Sequence, residues 1–108
     1  MDTFHQYQIA ALKSAIYPSQ AKIVYPALKL TGEAGEVSEK IGKWLRGDFF
    51  MDEAHKKEIA KELGDVLWYI TALAYDLGYD LRDVAKMNIE KLNSRVARGT
   101  IQGDGDNR

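Results

Sequence analysis

Glu33-Ala34-Gly35-Glu36 and Glu62-Leu63-Gly64-Asp65 repeat one arrangement: two carboxylates three residues apart, with a glycine before the second. On an α-helix, that spacing puts both acids on one face, so each segment offers a carboxylate pincer. Between the two segments lies Gly47-Asp48-Phe49-Phe50. If the chain folds back there as an antiparallel hairpin, facing residues lie equally far from Phe49. Glu33 and Asp65 meet that condition, and so do Glu36 and Glu62, which brings all four acids to one level. Carboxylates this close repel one another and raise at least one pKa unless a cation compensates. The donors are all oxygen, which favours Mg²⁺ or Mn²⁺ over zinc. Gly35 and Gly64 each cost a helix about 1 kcal/mol relative to alanine, a sacrifice expected where helices approach closely or a ligand needs room.

A single Glu-x-x-Glu is common on solvated helix faces, bridged to lysines such as Lys29, Lys40 and Lys61; the matched second pair turns the reading toward metal. A di-iron bundle site needs Glu-x-x-His on two helices, and neither His5 nor His55 stands in that register. Asp104-Gly105-Asp106 resembles the start of a calcium loop, but the twelve-residue loop with its closing glutamate does not fit before Arg108.

The elements that must position these acids are helices. A first helix is expected from Asp2 or Thr3 as N-cap to just before Pro18-Ser19, with Phe4, Tyr7, Ala11 and Leu12 on its apolar face. A second runs from near Tyr25, with Pro26 in its first turn, to about Arg46 before Gly47, its core stripe being Leu30, Ala34, Val37, Ile41 and Trp44. A third starts at Asp52 and keeps Ile59, Leu63, Val66, Ile70, Leu73 and Leu77 inward until Gly78. Its second half is apolar nearly all round, so the extra face of Leu67, Trp68, Thr71, Ala72 and Tyr75 is expected to meet another subunit. A fourth, capped by Asp80, carries Leu81, Val84, Ala85, Asn88, Leu92 and Val96 up to Arg98-Gly99. The expected fold is an all-α, four-helix bundle-like domain over residues 1–98, built on a central helix hairpin, with a polar, glycine-rich tail over 99–108.

Composition sets the outer limits. The 108 residues suffice for one modest core. With 15 basic and 16 acidic residues the charge nearly cancels, and the basic field that would hold polymeric DNA or RNA is missing. The chain has no cysteine, which removes thiolate nucleophiles and zinc–thiolate sites. No run approaches a membrane span of about 20 apolar residues, and the N-terminus lacks a signal pattern. A cytoplasmic protein is expected.

The paired acidic motif resembles the signature of the all-α NTP pyrophosphatases, and within them the chain is similar to the MazG-like nucleotide pyrophosphohydrolases. The likeness extends through Thr3-Phe4, Tyr7-Gln8, Gly32 to Val37, Glu62 to Tyr69, Asn88 to Leu92 with Arg95, and Arg98-Gly99-Thr100 into the tail. The ending resembles short, phage-borne members, which implies host cytoplasm. The resemblance implies hydrolysis of a nucleoside triphosphate to monophosphate and pyrophosphate, with Mg²⁺ on Glu33, Glu36, Glu62 and Asp65. It points to Lys91 and Arg95, with Asn88 on the same face, for the triphosphate; Lys43, two turns after Glu36, is placed to join them, and Tyr69, Tyr7 and Gln8 are the candidates for base and sugar by stacking and amide hydrogen bonding. Many relatives carry a glutamate immediately before the first acid, where this chain has Gly32. Glu39, one turn beyond Glu36, is the substitute candidate for the base, the alternative being a water activated by the cation alone. No Gly-x-x-x-x-Gly-Lys loop is present, so P-loop chemistry is excluded. The expected assembly is a homodimer or homotetramer. The substrate reading leans to a purine deoxynucleoside triphosphate, the alternatives being a dUTP/dCTP-type hydrolase or a helical interaction module without turnover.

Overall fold

Thr3 opens the first helix by accepting the Gln6 amide on its hydroxyl at 3.1 Å, the N-cap bond that satisfies one of the otherwise unpaired amides of a first turn. The computed structural model describes residues 3–99; the tail from Thr100 onward lies outside them. Helix α1 spans Phe4–Leu12, which is shorter than the sequence reading. It stops because its terminal carbonyls find other donors. Ala11 O accepts from the Ser14 hydroxyl at 2.8 Å and from Trp68 Nε1 at 3.1 Å. The chain then passes through a short 3₁₀ turn, Ser19–Ala21.

Helix α2 covers Val24–Leu45 and α3 covers Glu53–Asp76. The residue before α2, Ile23, has φ of 68°, a left-handed conformation costly for a β-branched side chain. Asp76 holds it there: one carboxylate oxygen accepts Ile23 N at 2.9 Å and the Tyr17 hydroxyl at 2.8 Å. Asp52 caps α3 by accepting His55 N at 2.9 Å and meets the His55 ring at 2.7 Å, while that ring stacks on Phe49 with centroids 4.2 Å apart. Thus the middle and the far end of the loop between α2 and α3 are both tied to His55. Helix α3 ends in a Schellman turn, with Gly78 at φ 88°, Tyr79 N donating to Ala74 O at 2.9 Å and Gly78 N to Tyr75 O at 3.0 Å. Helix α4, Leu81–Arg98, follows at once, its first turn closed by Asp80 N donating to Asp83 Oδ2 at 3.1 Å.

The architecture is all-α, with no strand among the described residues. Helices α2 and α3 form the antiparallel hairpin, and α1 and α4 pack on α3 and on each other. Helix α3 is therefore central and α2 lies at an edge.

This arrangement revises two expectations. Thr71 and Ala72 are fully buried inside the chain and Trp68 is bonded to α1, so part of the face of α3 expected to meet another subunit is covered by the chain itself, whereas Tyr75 on the same face is 56% exposed. Leu63 and Leu77, expected in the core, are each 53% exposed, and Ile41, Trp44 and Val96 from the other expected core stripes are exposed too. A hydrophobic stripe specifies that a helix is covered, and the neighbours' positions decide on which side.

Candidate active site

The hairpin brings the acids together in the expected register. Glu33, Glu62 and Asp65 each present an oxygen within 4.8 Å of the others. Glu36 stands beside them, sharing hydrogen bonds with Glu33 and Glu62. Desolvation pushes the Glu33 carboxyl above its usual range, followed by the charges of Glu36 and Asp65, with Lys29 pulling the other way. Glu62 is raised chiefly by its hydrogen bond with Glu36, then by desolvation, against the pull of Lys40, whose ammonium lies 3.9 Å away. Both shifts are those of carboxylates crowded together. Glu62 Oε2 is shielded from solvent and has no hydrogen-bond partner among the described residues. An all-carboxylate donor set with a buried, unsatisfied oxygen fits a hard divalent cation.

A cleft of about 370 Å³ opens beside the cluster, lined by Glu33, Asp65, Ser14, Tyr25, Trp68 and Tyr69. Tyr69 meets Tyr25 edge-on at 6.1 Å and Trp68 at 4.9 Å. Its hydroxyl is pushed up to about 12, first by the hydrogen bond with Tyr25, then by burial and the nearby charges of Glu33 and Asp65. Tyr7 also feels Asp65, though burial is the larger cause of its raised pKa. The acids and the aromatic wall are thus one continuous surface. A second cleft, of about 430 Å³, is lined by Gln8, Tyr75, Gly78, Tyr79 and Asp80, none of them one of the four acids.

Other expected site residues stand elsewhere. Gln8 is 6% exposed, and its amide donates to Asp80 Oδ1 and accepts Leu81 N, both at 2.6 Å. It is a joint between α1 and α4, with both ends of the amide engaged there, away from the acid cleft where the sequence reading expected it to meet a base edge. Glu39 is exposed and pairs with Lys43 at 3.4 Å along α2, so the structure does not bring it into the cluster. Asn88, Lys91 and Arg95 share a face of α4; Arg95 is buried, Lys91 half-buried and Asn88 exposed, and none lines the acid cleft. Lys61 pairs with Glu58 at 3.4 Å, leaving Lys29 and Lys40 as the lysines acting on the acids. A Cβ built at Gly35 or Gly64 meets nothing within 4 Å, so neither glycine serves close approach between α2 and α3. Each lies two residues past its motif's first acid, about 200° around the helix, and so points away from the partner helix.

Tyr25, Trp68 and Ser14 are the cleft residues that sequence reasoning missed. Trp68 follows Asp65 by three residues, a spacing that shares its face. Tyr25 and Ser14 carry no such signal, because the turn before α2 places them.

Comparison with known proteins joins this geometry to a chemistry. The MazG nucleotide pyrophosphohydrolase domain matches residues 26–99, which contain all four acids. The chain belongs to the MazG nucleotide pyrophosphohydrolase family. It is also 43% identical over 109 aligned positions to the Gene 37 protein of Mycobacterium phage L5, covering 94% of this chain and 96% of that protein. No solved structure matches. MazG proteins are metal-dependent hydrolases, and Glu33, Glu62 and Asp65 form the candidate metal cluster of this chain. Among the described residues, no helix is long and apolar enough to cross a membrane.

Proposed function

We propose that this MazG protein hydrolyses a nucleoside triphosphate between the α and β phosphates, releasing the monophosphate and pyrophosphate, with Glu33, Glu36, Glu62 and Asp65 holding Mg²⁺. The observation that carries the reading is the convergence of Glu33, Glu62 and Asp65, with Glu36 acting on Glu33 and Glu62, beside an aromatic cleft. When bound, Mg²⁺ neutralises phosphate charge and acidifies water; Mn²⁺ has the same preference for oxygen donors. The protein's own part is alignment, which dominates phosphoryl-type transfer. Tyr69 and Tyr25 take the base and sugar against the Trp68 wall. Lys91 and Arg95, with Asn88 on the same face of α4, take the triphosphate, an assignment that rests on the family resemblance. Glu39 lies outside the cluster and is free of ligand duty, so it takes the proton of the attacking water once its ion pair with Lys43 opens, which frees Lys43 for phosphate. The substrate of this reading is a purine deoxynucleoside triphosphate, whose hydrolysis would trim a nucleotide pool.

The same reading makes the active protein a homo-oligomer. Large apolar side chains left open on the helices support it, among them Leu28 at 71% and Leu45 at 85% exposure.

The deciding experiment measures Mg²⁺-dependent pyrophosphate release across ribo- and deoxynucleoside triphosphates, with dUTP, dCTP and tripolyphosphate included. Turnover of purine deoxynucleotides at least tenfold above the rest is expected. Pyrimidine preference moves the assignment to a dUTP/dCTP-type hydrolase, equal rates on tripolyphosphate remove the base pocket, and no turnover leaves a helical interaction module.

A further inference from the structure

Ile23 stands in a backbone conformation that its side chain disfavours and its own burial does not impose. Its φ of 68° and ψ of −56°, with Val24 N donating to Lys22 O at 2.7 Å across it, make a γ-turn of the rare, positive-φ kind. Glycine takes such a turn freely, whereas a β-branched residue stays in it only when its neighbours hold it there. At 43% exposure, Ile23 is not held by packing of its side chain. The tie is Asp76, the last residue of α3, whose Oδ2 accepts both Ile23 N at 2.9 Å and the Tyr17 hydroxyl at 2.8 Å.

Both bonds lead to one ring. Tyr25 follows the turn by two residues, and Tyr17 lies against it with ring centroids 5.1 Å apart. Tyr25 in turn meets Tyr69 and lines the cleft beside Glu33 and Asp65. Tyr25 is itself 39% exposed, so the turn before it and the ring behind it do what burial does not. Asp76 also shares a helix with the acids. It follows Asp65 by eleven residues, about three turns, which returns it to the same face about 17 Å farther along the axis. One helix thus carries a candidate cation ligand, Tyr69 a turn later, and the carboxylate that ties down the opposite aromatic wall.

We propose that Asp76 is a positioning residue for the nucleotide: by holding the Ile23 turn and the Tyr17 ring, it fixes Tyr25 where the base and sugar bind. This assignment rests on the reading of the cleft as the nucleotide site and adds what sets its shape. Backbone strain persists where the surrounding structure over-determines it, and it gathers at ligand clamps. A binding side chain works only as well as the groups behind it lock it in place. Asp76 touches neither substrate nor cation, and acts on both KM and affinity through Tyr25.

Calorimetric binding of the α,β-methylene analogue of dATP with Mg²⁺ tests the assignment, because it reads the cleft without turnover. Asp76→Ala is expected to weaken binding about fivefold and to raise KM by a like factor with kcat within twofold of wild type, as for a contact similar in ground and transition states. Asp76→Asn keeps a side-chain carbonyl that accepts both bonds, and is expected to restore binding to within twofold. Mg²⁺ binding without nucleotide is expected to stay unchanged in both. In a Tyr25→Ala background, Asp76→Ala is expected to add no further loss, because a positioning residue is silent once the group it positions is gone. Should Asp76→Ala fail to fold, Tyr17→Phe runs through the same cycle; it leaves Ile23 bonded, and its expected loss of about twofold vanishes in the Tyr25→Ala background. A folded Asp76→Ala that binds as wild type does, or losses that simply add to those of Tyr25→Ala, overturn the positioning role while sparing the nucleotide reading. A wild type that does not bind the analogue overturns both.

Discussion

The side-chain amide of Gln8 on α1 reaches Asp80 at the head of α4 at 2.6 Å and receives the Leu81 amide at the same distance. One residue therefore joins the two helices that cover the central α3, and it does so where Leu81 itself is buried. Gln8→Ala leaves the Leu81 N–H without this acceptor, and a lost, largely buried pair of hydrogen bonds costs about 2 kcal/mol. Chemical denaturation is expected to show that loss while KM stays within twofold of wild type. A large rise in KM with stability unchanged would return Gln8 to the substrate.

The acid cluster makes metal-free stability depend on pH in a direction opposite to ordinary acid denaturation. Glu33 and Glu62 both have raised pKa values in the fold. Such groups bind protons more readily folded than unfolded, so their contribution is fully present below the usual glutamate value of 4.5 and is lost as pH rises through the raised values. Melting in a chelator is expected at higher temperature as pH is lowered from neutrality toward 4.5. Asp52, whose caps lower its pKa from 3.8, loses its contribution only below that range and does not mask the effect. Glu62→Gln is expected to flatten the profile, and a wild-type profile already flat would mean that the acids are not crowded in solution.

Replacing Glu36 by Gln or Asp65 by Asn keeps shape and removes charge from the cluster. Each is expected to lower Mg²⁺-dependent pyrophosphate release at least a hundredfold while the helical circular dichroism is retained. Either variant working at the wild-type rate would remove that residue from the metal site. Glu39→Gln separates the base from the ligands: a fall in kcat with metal affinity unchanged is expected.

The aromatic wall and the α4 cations should fail differently. A stacking contact is similar in ground and transition states, so Tyr69→Ala and Tyr25→Ala are expected to raise KM more than they lower kcat. Lys91→Ala, acting on phosphate charge that develops during the reaction, is expected to lower kcat chiefly. Steady-state kinetics on the best nucleotide checks both, and the reverse pattern for Tyr25 would place it in the protomer's packing alone.

Helix spacing, caps and breakers are local properties, and the sequence by itself determined them. Thr3 and Asp52 cap where their side chains reach a first-turn amide, Gly78 ends α3 where the chain needs a positive φ, and the acids pair because both pincers are equally far from Phe49. The tertiary structure decided what depends on residues distant in sequence. Trp68 became a wall of the cleft because α1 presents Ala11 O and Ser14 to its indole. Tyr25 reached the acids because Asp76 holds Ile23 in its strained turn. Gln8 and Glu39 carry the right groups for the roles expected of them, but α4 engages one and the solvent side of α2 displays the other. Periodicity records which side of a helix is covered or open without saying by what. Thr71 and Ala72 on α3 are therefore buried within the chain, while Leu28 and Leu45 on α2 are left exposed.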